Sequence, residues 1–270
     1  MYYLRLEWLK MKKLRTFQAI IFLFAIALPG LLLTTKSFNV NPEDMPPFLS
    51  SFDLLFRFPT VWEWLGYIGN WLAFFFLGFL AVIMVTNEYA YRTLRQNIIN
   101  GLSRNEFFAT KIGFMLVICL AATLYYTAWC LGFGFWHTDT VYQSTVVKNS
   151  DYILRFFLMS LGYMSFGFLL GMVVKRTGIA LLLYLTYSVI IESILRGLHL
   201  YFFQNRSMNF FPMNVFEDLA PFPVLEKADG FTQENGFELL LPPAEAMLAS
   251  VGYILLFTGL SYWVLKRSDL

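Results

Sequence analysis

The sequence predicts an all-α polytopic membrane protein of six transmembrane helices with both termini in the cytoplasm. Three observations carry that expectation. The 270 residues are 58% hydrophobic and 14% charged, with a mean hydropathy of +0.58, whereas an ordinary soluble domain is about a quarter charged. Six runs, residues 17–33, 65–86, 112–135, 153–174, 179–194 and 247–265, approach or exceed the roughly 20 apolar residues that cross a bilayer core. With both termini inside, the inner segments hold 13 of the 20 Lys and Arg, and the outer loops hold 14 of the 18 acids, as the positive-inside rule requires. No linker divides the chain, so residues 1–270 read as one domain.

Residues 1–16 are basic and aromatic, and helical spacing puts Leu4, Trp8 and Met11 on one face. They fit a helix lying in the inner interface, or simply a positive flank that fixes orientation. Ala25-Ile26-Ala27 after the basic lead resembles a signal-peptide cleavage site. The apolar run continues to Leu33 and five more follow, so an uncleaved first span is expected. Asn41-Pro42 and Pro46-Pro47 break the first external loop. Trp62, Trp64 and Tyr67 outside, with Trp8 and Trp263 inside, are expected to form the interfacial belts.

Within the spans, Asn70 is expected to hydrogen-bond to a neighbouring helix. Cys119 and Cys130 lie about 16 Å apart along the third span, too far to bond to each other. Arg155 at the outer start of the fourth span is expected to snorkel. Gly167-Phe-Leu-Leu-Gly171 allows a close helix approach, within the chain or to a second copy. Lys175-Arg176 and Lys266-Arg267 mark inner ends. Glu192 and Arg196 stand one turn apart near the outer end of the fifth span. They can neutralise each other, or line an outer cavity or gate together with Asn70. The external segment 197–246 contains Pro212, Pro221, Pro223, Pro242 and Pro243, and is rich in Phe. It is expected to form a cap or gate, or to dip back into the outer leaflet where protein covers it.

Enzyme signatures are missing from the sequence. His137 and His199 are not spaced as a metal pair, and there is neither a G-x-S-x-G elbow nor a G-x-x-x-x-G-K-[ST] loop. Glu217-Asp218 and Asp229 read as solvated acids. The net charge of +2 gives no reason to expect a nucleic-acid partner.

The segment joining the second and third spans, NEYAYRTLRQNIINGLSRNEFFATK, is the most specific part of the chain. Tyr91, Leu94, Ile98 and Leu102 form a stripe at helical spacing, which predicts one helix over 88–101. Glu88 can pair with Arg92 at i,i+4, with Arg92 and Arg95 off the stripe. Gly101 suits a left-handed helix stop, and Ser103-Arg104-Asn105-Glu106 is a capping box for the next helix. Such a helix can serve as a rigid handle, or can lie on lipid and touch nothing else.

Glu88, Thr93-Leu94, Arg104 and Lys111, in that order, resemble the ABC-2 type permease family, the transmembrane subunits of ATP-binding-cassette transporters. The resemblance is to Bacteroidetes-like members. The family often has Gly before the Thr and Pro before the Arg segment, where this chain has Arg92 and Asn100-Gly101. The resemblance implies that 88–101 is a coupling helix contacting an ATP-binding-cassette ATPase through Glu88, Tyr91, Arg92, Thr93, Leu94, Arg95, Ile98, Gly101 and Arg104. It implies a second permease chain, a bacterial inner-membrane location, and ATP and Mg held by the ATPase with no cofactor on this chain. Export is the expected direction. The rival readings are a membrane-embedded enzyme acting on lipids or peptides, and a non-transporting scaffold or sensor.

Overall fold

A computed structural model describes residues 2–35, 55–203, 205–223, 225 and 240–268. The prolines expected to break the first external loop, and Asp229, lie outside these. All regular structure among the described residues is helical, and six helices are long and apolar enough to cross a membrane. The chain is a multi-pass membrane protein.

A short helix α1 (Tyr2–Met11) leads into the first span, α2 (Arg15–Thr35). The second span is α3 (Thr60–Ala90), followed by a seven-residue helix α4 (Thr93–Ile99) and the third span α5 (Arg104–His137). Helix α6 (Gln143–Val147) precedes the fourth span α7 (Tyr152–Val174), and the fifth is α8 (Thr177–Phe203). A one-turn 3-10 helix at Arg206–Phe210 and α9 (Pro212–Glu217) lead toward the last span, α10 (Pro243–Arg267).

Helix α7 is the axis of the bundle, packing against α3, α5, α8, α9 and α10. Small residues allow this. A Cβ on Gly167 would stand 2.4 Å from the carbonyl oxygen of Gly78 in α3, and one on Gly162 would meet the Phe216 ring of α9 at 2.4 Å. The Gly167–Gly171 pair is thus occupied within the chain. In a membrane, where hydrocarbon offers helices no hydrophobic drive to associate, such backbone proximity supplies the packing. Helices α2, α8 and α10 are the least covered spans.

Two spans contain a π-turn, at Ala73–Leu77 in α3 and Thr186–Ile191 in α8. The two helices meet beside these turns. The Tyr184 hydroxyl donates to the Phe74 carbonyl at 3.0 Å, and the two rings stack with centroids 5.1 Å apart.

Hydrogen bonds fix which loops share an end. At one end, Arg104 donates to the carbonyls of Leu265 and Lys266 (3.2 and 2.6 Å), and Lys175 Nζ to Ser268 Oγ (3.1 Å). At the other, the Phe58 N–H donates to Thr138 Oγ1 (3.2 Å), and Arg57 pairs with Asp139 (3.1 Å). The basic termini and the α4 segment therefore lie together.

Several sequence expectations need correction. The fifth span does not stop at 194: the helix runs on to Phe203, because Glu192 finds internal partners and Gly197 is accommodated in the helix. Trp62 is no interfacial anchor. It is buried, and its indole donates to the Val146 carbonyl at 3.2 Å. Arg155 does not snorkel. It is buried, pairs with Asp151 and lies 4.4 Å over the Tyr152 ring. Segment 206–220, by contrast, packs against the bundle in keeping with the expected covered segment, with Phe216 between Tyr163 and Phe257.

Candidate functional site

Glu88 sits on the last turn of α3 and is 1% exposed. Its Oε1 accepts from Lys10 of α1 and from Lys111 of α5, the latter at 2.5 Å, and its Oε2 accepts from the Thr93 hydroxyl at the start of α4. Lys111, also 1% exposed, donates in addition to Glu7 of α1 and lies 5.3 Å over the Phe107 ring. Two carboxylates and two ammonium groups thus cancel in charge. An ion buried without a partner costs several kcal/mol, so each member holds the others in place. The cluster ties α1, α3, α4 and α5 together at one point. Only Lys10 is substantially open to solvent, at 35%.

The connection itself departs from expectation. A single helix over 88–101 does not form, since α3 ends at Ala90, and Arg92 adopts a left-handed backbone (φ 54°) before α4 begins. That bend reorients the chain and breaks the expected stripe. Leu94 is buried, and Ile98 and Leu102 pack on the core, but Tyr91 is 68% exposed. Glu88 turns inward to the lysines, so the expected Glu88–Arg92 pair is not made. Arg92 and Arg95 are exposed beside Tyr91 and Ile99.

The stop and restart match the local chemistry. Gly101 has φ 96°, its N–H donates to Ile98 and that of Leu102 to Asn97, which is the paired C-terminal bonding of a Schellman motif. Ser103 and Glu106 form the reciprocal capping box. Arg104 then reaches across to the end of α10. Helix α4 is therefore fixed at its start by Thr93, through its middle by Leu94, and at its end by Gly101 and Ser103.

Glu7 and Lys10 are the members that sequence reasoning did not single out. Glu7 is the only acid in the basic first sixteen residues, and it lies on the face continued by Leu4 and Met11. That isolated acid was the available signal.

The outer residues form a separate group. Glu192 is buried and accepts the backbone N–H groups of Met213 (3.1 Å) and Asn214 (2.8 Å) in the first turn of α9. These bonds come from the backbone, and Arg196 one turn on attracts the carboxylate without a direct bond. Asn70 holds the far end of α9: its Nδ2 donates to the carbonyls of Glu217 (3.2 Å) and Ala220 (3.3 Å), and its Oδ1 accepts from Tyr163 (2.7 Å). Asp218 is buried, not solvated as expected, and accepts from Asn214 Nδ2 (2.9 Å) and the Leu241 N–H (3.0 Å). Burial pushes its carboxyl up to about 7, and burial likewise raises that of Glu217, with Arg196 offsetting part of each shift.

A family model described as ABC-2 family transporter protein matches residues 4–270. This chain belongs to the ABC-2 transporter family. No curated protein matches it. As an ABC-2 protein it is a membrane component of a transporter. The residues that carry the family resemblance are not scattered, because Glu88, Thr93 and Lys111 touch in one cluster, with Arg104 bracing the following helix.

Proposed function

We propose that this ABC-2 chain is the permease subunit of an ATP-driven exporter in a bacterial inner membrane, and that α4 is the surface on which a separate ATP-binding-cassette ATPase docks. The observation that carries the reading is the buried Glu88–Lys111–Glu7–Lys10–Thr93 cluster. It makes a seven-residue helix rigid with respect to two spans while leaving Tyr91, Arg92, Arg95 and Ile99 outward. A push on that face is transmitted to α3 and α5 with little slack, because moving Thr93 would take a hydrogen bond from the buried Glu88, and moving Lys111 alone would leave Glu7 without its lysine. Exposed aromatic and arginine side chains are the types enriched at interface hot spots. ATP and Mg would be held by the ATPase, and a second permease chain would cover spans that this one leaves bare. Movement of α3 would reach the outer end through Asn70 and α9, which supports a gate there.

Co-purification of the chain with its ATPase tests the docking surface. Arg92→Glu with Arg95→Glu is expected to release the ATPase and to lower coupled ATP hydrolysis by at least about tenfold, as for loss of a hot spot, with the detergent-solubilised chain still folded. Undiminished association would overturn the assignment.

A further inference from the structure

Between α3, α7, α8 and α9 lies a chamber of about 240 Å³. It stands apart from the ion cluster, and its wall coincides with both π-turns. Trp71 and Phe74 come from the turn region of α3, Ser188 from that of α8, Ser193 from the turn after it, Tyr163 from α7 and Glu217 from α9. π-Turns are uncommon and recur at functional sites. Two of them facing one cavity mark it as more than a packing fault.

The wall has a definite chemistry. Glu217 supplies its only formal charge; among the described residues that carboxylate makes no hydrogen bond and no ion pair, while Arg196 is near enough to attract it from outside the chamber wall. The Ser188 hydroxyl is buried with no hydrogen-bond partner, and an unmet buried hydroxyl costs about 1–3 kcal/mol. Phe74 and Tyr163 meet edge to face, with centroids 5.4 Å apart, and Trp71 closes on Phe74 at 6.5 Å. Aromatic rings beside one carboxylate, with Trp71 the most open of them, suit a cation with apolar substituents. A metal ion does not fit, since among the described residues no three acidic, His or Cys side chains converge to hold one. Trp71 is 46% exposed and Val189 54%, so the chamber opens sideways between α3 and α8. An apolar body can lie along that opening while a charged head sits inside.

We propose that this chamber binds the head of an amphipathic organic ammonium ion, with Glu217 as its counter-ion and Trp71, Phe74 and Tyr163 as its aromatic walls. The ligand is cargo only if the transporter reading above is right; the site itself does not depend on an ATPase.

Equilibrium dialysis of the purified full chain in lipid nanodiscs, with radiolabelled benzyltrimethylammonium as probe, decides the matter against empty nanodiscs. Saturable binding is expected. The neutral isostere neopentylbenzene and the anion benzenesulfonate should not displace it. Glu217→Gln should weaken binding by at least about tenfold, since a charge pair at reduced dielectric is lost. Ser188→Leu, which fills the chamber and keeps the carboxylate, should weaken it as well, and both variants should keep the wild-type melting temperature. The double variant Arg92→Glu, Arg95→Glu should bind as wild type. Absence of saturable binding, equal competition by the neutral isostere, or wild-type affinity in both Glu217→Gln and Ser188→Leu would overturn the proposal. No ATPase is present, so failure here leaves the docking surface untouched, and failure of docking leaves this binding untouched.

Discussion

Lys111 bridges two buried carboxylates from different helices, and that makes the members of the ion cluster unequal. Lys111→Met leaves Glu7 without its lysine and Glu88 with only the half-open Lys10, so it is expected to destabilise the chain by about 3–5 kcal/mol. Glu88→Gln should cost less, because Lys111 keeps Glu7 and Lys10 can turn to water. Thermal unfolding in detergent separates the two, and equal losses would contradict the bridging role. Asp218 gives a pH test. Its folded-state value of about 7 lies above the ordinary 3.8, so the unfolded state gives up this proton first as pH rises. The stability it contributes is fully present below about pH 3.8 and is lost as pH rises through about 7. Asp218→Asn should flatten that slope, which melting temperatures at pH 5 and 8 would show. Glu88, Thr93 and Lys111 are legible in sequence because their order between the second and third spans matches the family pattern. The inward turn of Glu88 is not legible, since its partners come from positions 10 and 111, far apart in the chain.

At the level of helices, the closest packing is between α3 and α7, where Gly167 faces backbone that cannot yield. Gly167→Ala should separate the two helices and cost about 1–3 kcal/mol. Gly252→Ala and Gly259→Ala in α10 meet no heavy atom within 4 Å, so they should be neutral or stabilise by up to about 1 kcal/mol. Melting curves of the three variants check the contrast. The existence and order of all six spans are legible, because the composition of each run alone decides whether lipid can solvate it. Their ends are less so. Charged residues at 192 and 196 read as a stop for the fifth span, whereas the backbone of α9 satisfies Glu192 and lets the helix continue. The break at Arg92 escapes periodicity for a different reason: a left-handed residue leaves the apolar spacing nearly intact while turning the axis, so the pattern suggests one helix where there are two. The π-turns carry no signal that helical spacing can show.

For the whole molecule, the structure places the termini and α4 at one end of the bundle and the 138–151 connection at the other. In the orientation we propose from the charge bias, the former faces the cytoplasm. A cysteine at Arg95 and one at Tyr142, both exposed positions, should therefore react with a membrane-impermeant maleimide from opposite faces of the intact membrane that holds the chain. The two native cysteines are buried and should stay silent. Labelling of both from one face would contradict the orientation. The ion cluster also has a consequence for biogenesis. Glu7 leaves the ribosome 104 positions before the lysine that binds it, and Glu88 leaves before Lys111 as well. Glu7 must stay hydrated at the membrane surface until the start of the third span emerges, whereas Glu88 already has Lys10. Closure of this end of the bundle thus waits for a single lysine, and a chain arrested before that residue would hold its first helix to the second span through Lys10 and Glu88 alone.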